Sequence, residues 1–400
     1  MQSQSLCAAQ CSELGAESPR SSFPRKREAL FNSPKGWSSS ALVLDKRHWI
    51  PAFAGTTSSS SVRWCAALLA AAVLSAASLL HAAAPSARDG VIDEVLTRIK
   101  SDYVFPDRFD AIEQSVRRHQ ASGDYAAAAD DKQFAALLTG HLQEVTHDKH
   151  MSLKYQANAR ALRPAAFVSS DAQRERERRD NYGFRKVEVL PGNVGYLDIT
   201  SFHDDGQLAG DTIAAAMGFV ANTDALIIDL RNMRGGGEAM QVVASYLLDG
   251  TVDLMQLRYR ARGLMHASSQ AYVPGKRYLD KPVYLLTSER TFSAGEAFAY
   301  ALQGLKRATL VGATTRGGAN PNELVPIAND YVLSVPIGES ISPVTGGSWE
   351  GVGVKPDVAA DEKEALAVAH RQALTALREQ IKDTAVRESL DKALEGLGKS

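Results

Sequence analysis

Two stretches of this sequence bring together residue types that could do chemistry. The first, LLTSERTFSAGEAFAYAL, places Ser293 between an apolar run and a helix-forming run, with the small residues Ala294 and Gly295 behind it. A serine nucleophile needs its hydroxyl at an exposed junction, with backbone N–H groups near enough to hold an oxyanion. The same placement also suits a helix N-cap, with the hydroxyl accepting from Gly295 or Glu296 and Glu296 closing a capping box. The second stretch, IIDLRNMRGGGE, ends an apolar run in Gly235, Gly236 and Gly237. Such a run permits positive φ and brings N–H groups close to a ligand at the positive end of a helix. A third segment, THDKHMSL, offers His147 and His150, whose side-chain type has an unperturbed pKa of about 6.5, suited to a general base. Two histidines three residues apart lack a third ligand at sensible spacing, so no metal is expected, and no cofactor motif is present.

The elements that must position these residues are legible from periodicity. Apolar residues recur at helical spacing in three runs, Val91 to Ile99, Phe109 to Val116 and Phe134 to Val145, with Pro106 between the first two. These predict a helical domain over 88–155, closed by a strand-like MSLKY. Residues 156–181, which include RERERRD, carry both charge signs and read as a solvated linker or helical connection. From 182 the pattern alternates: strands at 194–199, 225–230, 283–287 and 309–311, helices at 207–220, 238–248 and 294–305. A further strand is expected at 331–335, and mostly helix over 362–397. Alternation of this kind predicts an α/β core at 182–358 with a largely parallel sheet, followed by a helical segment at 359–400. In such folds reactive groups gather where strands end and helices begin, which is where Ser293 and the glycine run lie.

These motifs resemble the tail-specific, or carboxy-terminal-processing, serine peptidase family, which includes the tricorn core protease and interphotoreceptor retinoid-binding protein. TSERTFSAGEAFAYAL is similar to the family's nucleophile segment, DLRNMRGGG to its glycine turn, GATTRGGANP to the segment after the nucleophile helix, and WEGVGVKPDV to its closing motif. The resemblance runs from about residue 137 to 357. It implies a crotonase/Clp-protease-like core, a nucleophile at Ser293, and an oxyanion hole at the N–H groups of Gly236 and Ala294. Processing peptidases use a lysine where this sequence has Gly318, whereas tricorn-like members use a histidine before the core and a glutamate in the closing motif. By that resemblance His150 is the base, with His147 as alternative, and Glu350 orients it; Asp229 and Arg231 are structural. Two residues depart from the pattern: Met233 replaces an asparagine of the glycine turn, and Lys149 replaces tricorn's serine beside the histidine. The roughly 30 residues before 182 leave no room for a PDZ module. The implied activity is serine endopeptidase cleavage of unfolded or C-terminal protein segments. The alternatives are a non-catalytic binder of apolar ligands, as in the retinoid-binding relatives, and a small-molecule esterase or amidase.

The amino-terminal part bears on location. Residues 64–84 combine a preceding Arg63, an apolar uncharged run and the exit Ala82, Ala83, Ala84, the pattern of a secretory signal peptide. Cleavage near 82–87 is expected, giving a periplasmic or secreted protein that meets the membrane only transiently during export. Cys7, Cys11 and Cys65 all precede that point, which excludes disulfides and thiol chemistry from the mature chain. Residues 1–63 are Ser-rich and are expected to be unstructured or untranslated, with a start near Val62, since no Met lies between Met1 and Met151. They hold eight Lys and Arg against four Asp and Glu, leaving 37 against 42 for the remainder. That acidic balance gives no footprint for nucleic acid, so the expected partner is a peptide or unfolded protein substrate.

Overall fold

The computed structural model describes residues 87–161 and 171–398. Three helices come first: α1 (Ala87–Asp102), α2 (Phe109–Ala121) and α3 (Asp131–Thr146). The stripe Val91, Ile92, Val95, Leu96 and Ile99 is the buried face of α1. Asp130 caps α3 by accepting the Gln133 N–H at 2.7 Å, satisfying one of the donors a helix start leaves open. Pro106 begins a short 3₁₀ turn between α1 and α2, where its missing N–H costs nothing. After β1 (Ser152–Tyr155), the charged RERER stretch forms helix α4 (Asp171–Arg179).

The core sheet is built from β2 (Phe184–Leu190), β3 (Val194–Ile199), β4 (Ala225–Asp229), β7 (Val283–Thr287), β8 (Thr309–Gly312) and β12 (Val358–Ala359). Their order is β12-β8-β7-β4-β3-β2, parallel throughout except that β2 runs antiparallel to β3. Strand alternation sends Leu226 and Ile228 of β4 to one face and Ala225 and Ile227 to the other. The first face packs on α5 (Gly206–Val220), α6 (Ala239–Leu247) and α7 (Ala294–Gly304); the second packs on α8 (Ala365–Gln380) and is closed by α9 (Thr384–Leu397). Burial on both faces explains why these strands read as unbroken apolar runs.

Two smaller sheets complete the fold. In one, β5 (Asp253–Tyr259) lies between β6 (Gly263–Ser268) and β11 (Gly338–Ile341). In the other, β10 (Tyr331–Pro336) lies between β1 and β9 (Asn322–Ile327). The strand expected at 331–335 therefore exists but joins the helical region: Leu153 pairs with Leu333, and Tyr331, Leu333 and Val335 are buried with Phe134, Leu138 and Leu142. The hydrophobic core of the helical region is thus completed by residues from late in the chain. No helix among the described residues is long and apolar enough to cross a membrane, and the expected signal segment lies outside them.

Candidate active site

Because β4 and β7 are parallel neighbours, their carboxyl ends deliver the two unusual turns side by side. Thr291 Oγ1 donates to Leu230 O at 2.8 Å and Ser288 Oγ to Arg231 O at 2.6 Å, while the Phe292 N–H reaches Met233 O at 3.1 Å. Ser288 and Thr291 stitch the polar loop to the glycine turn, a task the sequence reading did not assign them.

Ser293 is the N-cap residue of α7 and has φ 55° and ψ −121°. A positive φ in a residue with a side chain costs about 1–3 kcal/mol and persists only where the surroundings fix it. Here they do. The Glu296 carboxylate, fully buried, accepts the Ser293 N–H at 2.9 Å, and also Gly318 N at 2.9 Å, Gly317 N at 2.6 Å and Thr315 Oγ1 at 2.5 Å. Burial raises its pKa, and these four donors oppose that rise. The capping partner foreseen for Ser293 therefore holds a second loop as well.

Gly235 has φ +102°, and a Cβ there would stand 2.7 Å from Ser293 Cβ. Gly236 has φ +128° and presses so close to Phe202 that a Cβ would meet its carbonyl oxygen at 1.6 Å. Phe202 N donates to Gly235 O at 2.9 Å and Gly237 N to Phe202 O at 3.0 Å, so the turn is held by backbone. Neither the Gly236 N–H nor the Ala294 N–H is taken up in these bonds. Met233 is fully buried, and a Cβ on Gly295 would lie 2.1 Å from its Cγ. The departure at Met233 thus fills space under the start of α7, and the turn keeps its hydrogen bonds through the main chain. Asp229 and Arg231 are paired with each other, and Arg231 also donates to Glu362 O at 2.5 Å.

The histidines separate clearly. His147 is the exposed left-handed C-cap of α3, with φ 55°. His150 is 7% exposed, and its Nε2 lies 3.1 Å from Ser293 Oγ. Its ring packs on Phe292 with centroids 4.6 Å apart. Burial, then the Arg316 charge, lowers its pKa to about 4, so the ring is neutral at physiological pH. Gly318, where a lysine would have been the alternative base, has no room for one: a Cβ would stand 2.2 Å from Phe292 Cε2 and 3.0 Å from His150 Cε1.

The closing motif brings Glu350 to the same place. Trp349, 1% exposed, donates its indole N–H to Gly318 O at 3.1 Å, and Gly351 N donates to Gly317 O at 3.0 Å. Glu350 Oε2 accepts from Ala319 N at 2.5 Å and Asn320 N at 3.0 Å, and Oε1 from Lys149 N at 3.3 Å. Burial, then the charge of Asp148, raises its pKa to about 7. Glu350 makes no hydrogen bond to the ring: a nitrogen of His150, a Glu350 oxygen and an Asp148 oxygen lie within 4.8 Å of one another, and the buried His150 Nδ1 has no partner. Asp148, 1% exposed, was not singled out in the sequence. The signal was its place in HDKH, two residues before His150. Lys149 between them is exposed and contributes only its backbone N–H.

Among the described residues, two groups of three could hold a metal ion, this one and His119, Asp124 and His141 in the helical region. Beside Gly236 a cavity of about 200 Å³ opens between Tyr182, Phe202, His203 and Asp204. As it stands, the site offers a serine hydroxyl within reach of a neutral imidazole, carboxyl groups behind the ring, and N–H groups beside the hydroxyl.

Two family models match the chain. Peptidase family S41 matches residues 193–360, and the N-terminal domain of that family in eukaryotic IRBP matches residues 71–191. A carboxy-terminal-processing protease of Bartonella bacilliformis is 27% identical over 181 residues, 43% of this chain and 40% of that protein. The carboxy-terminal processing protease CtpA of Bacillus subtilis is 26% identical over 180 residues, 44% of this chain and 36% of that protein. The match therefore spans about two fifths of the length of these relatives. Among solved structures, a lipoprotein from Streptococcus agalactiae overlays with a TM-score of 0.47 at 16% identity, covering 72% of this chain and 96% of its own. From the two family models, which leave only residue 192 unmatched between 71 and 360, the chain belongs to peptidase family S41.

Proposed function

We propose that this protein is a serine endopeptidase that hydrolyses peptide bonds in unfolded or C-terminal protein segments, using Ser293, His150 and Glu350. The observation that carries the reading is the 3.1 Å approach of His150 Nε2 to Ser293 Oγ. His150 accepts the serine proton as Oγ attacks the scissile carbonyl, and returns it to the leaving amine as the C–N bond breaks. Water then enters by the same route and releases the acyl group from Ser293. The carbonyl oxygen, negative in the tetrahedral intermediate, is held by the N–H groups of Gly236 and Ala294. Negative charge behind the ring stabilises the imidazolium that forms. The extended substrate passes over the glycine turn, with the cavity beside Gly236 receiving one of its side chains. Export through the segment at 64–84 places this activity in the periplasm or outside the cell.

An active-site-directed fluorophosphonate followed by peptide mapping tests the reading. Covalent labelling of Ser293, abolished in His150→Ala, is expected. An unlabelled protein that cleaves no peptide yet binds an apolar ligand tightly would replace the peptidase reading with that of a binding module; turnover of small esters alone would leave an esterase.

A further inference from the structure

Glu350 is the carboxylate that the motif provides for His150, yet the structure surrounds the ring with two. Asp148 is the more deeply buried of them, and both its oxygens are engaged: Oδ1 accepts the backbone N–H of His150 at 2.9 Å, and Oδ2 accepts from Asn320 Nδ2 at 2.8 Å. The backbone N–H of the same asparagine goes to Glu350 at 3.0 Å. One residue, Asn320, therefore spans the two carboxyl groups. Both come within 4.8 Å of a His150 ring nitrogen, and His150 Nδ1 is the atom with no other partner.

We propose that Asp148 is a positioning residue of this site, and that Asp148 and Glu350 together form a carboxyl pair that sets the tautomer of His150 and stabilises its cation. This rests on the peptidase reading above and deepens it. A serine proton moving to Nε2 requires the ring's own proton to be on Nδ1, and a negative charge facing Nδ1 holds it there. Burial raises the pKa of both carboxyl groups, and for Glu350 the charge of Asp148 adds to the rise. The other groups around the pair are Arg108, which acts on Asp148, Tyr103, whose pKa is raised by burial and then by the charges of Asp148 and Glu350, and Arg316, whose charge acts on the imidazole. None of these supplies a negative charge at neutral pH that could replace the pair. During the reaction the pair exchanges no proton with the ring: the only transfer is from Ser293 Oγ to His150 Nε2 and on to the leaving amine.

The arrangement has a signature that a merely structural Asp148 would lack. Asp148→Asn keeps an acceptor for the His150 N–H, and Glu350→Gln keeps one for the N–H groups of Ala319 and Asn320. Each single variant leaves one carboxylate facing the ring; only the double variant leaves none. We therefore expect each single variant to hold the Nδ1–H tautomer, read from ¹⁵N shifts of labelled histidine at pH 7.5, and to lose about tenfold in kcat/KM. The double variant should shift toward the Nε2–H tautomer and lose about 10³–10⁴ in kcat/KM, the scale found when an orienting carboxylate is neutralised in a serine triad. If Glu350→Gln alone changes the tautomer and costs as much as the double variant, Asp148 has no share and the proposal is overturned. The tautomer is measured without turnover, so a protein inactive on peptides would count against the peptidase reading while the ¹⁵N shifts still judge the pair.

Discussion

The Nε2 of His150 lies 3.1 Å from Ser293 Oγ across 143 residues of chain. The strand after His150 delivers it to the site: β1 starts two residues later and pairs with β10, which pairs in turn with β9, the strand that follows the loop held by Glu296 and Trp349. Leu333, fully buried, is the apolar centre of that pairing. Leu333→Ala should cost about 2–5 kcal/mol of stability. Peptidase activity, measured where the variant is still folded, should fall as well because the base is carried by the same strand pair. Unchanged kcat/KM in the folded variant would show that His150 is held from elsewhere.

The pH dependence of kcat/KM should descend in two stages on the acid side. Glu350 has a pKa raised to about 7, so its negative charge is present above neutrality and is lost as pH falls through that region, and burial raises the Asp148 pKa as well. His150 has a lowered pKa of about 4 and stays neutral until far lower pH, where protonation removes the base altogether. A partial decline near neutrality, followed by abolition around pH 4, is the expected profile in a pH–rate series on one peptide. A single step near 6.5 would mean that the imidazole behaves as if exposed.

Gly318 tests the choice of base. Its missing side chain is where Phe292 and the His150 ring sit. Gly318→Ala should displace the ring and lower kcat/KM by at least about 10², the scale on which a misplacement of about 1 Å acts. Gly318→Lys should be no more active than the alanine variant. Recovery of activity with lysine would show that an amine can serve as base here.

Glu296 joins the Ser293 loop to the segment carrying Gly318. Glu296→Ala strands four donors, and a buried donor left unsatisfied costs about 1–3 kcal/mol. A fall in unfolding free energy of at least about 3 kcal/mol is expected by denaturant titration, with Glu296→Gln between it and wild type. Equal stability of all three would mean that the loop is held without the carboxylate.

Much of this was legible beforehand because it is local. Apolar periodicity marked the first three helices and the core strands β3, β4, β7 and β8, and the junction after 283–287 marked Ser293. The strands β2, β5, β6 and β9 were not read because their burial is mixed along each strand, which leaves no clean alternation, and β11 and β12 because four and two residues are too few to show a period. Nor could spacing show that β10 belongs with the helices, since that pairing is set by packing of Leu333 and Tyr331 against α3. His150 and Glu350 were named by motif, and the reason they meet is Asn320, which bonds Glu350 and also Asp148, the acceptor of the His150 backbone N–H. Asp148 escaped notice because an aspartate after a helix reads as a turn residue until its burial is known.

The central claim is that Ser293 and His150 act as one unit, and a double-mutant comparison on a single peptide substrate tests it most directly. Ser293→Ala and His150→Ala should each stay folded and each lose several orders of magnitude in kcat, about 10⁶ where such a unit has been dissected. The double variant should lose little more than either one. Losses that multiply in the double variant, or wild-type turnover in Ser293→Ala, would contradict the account.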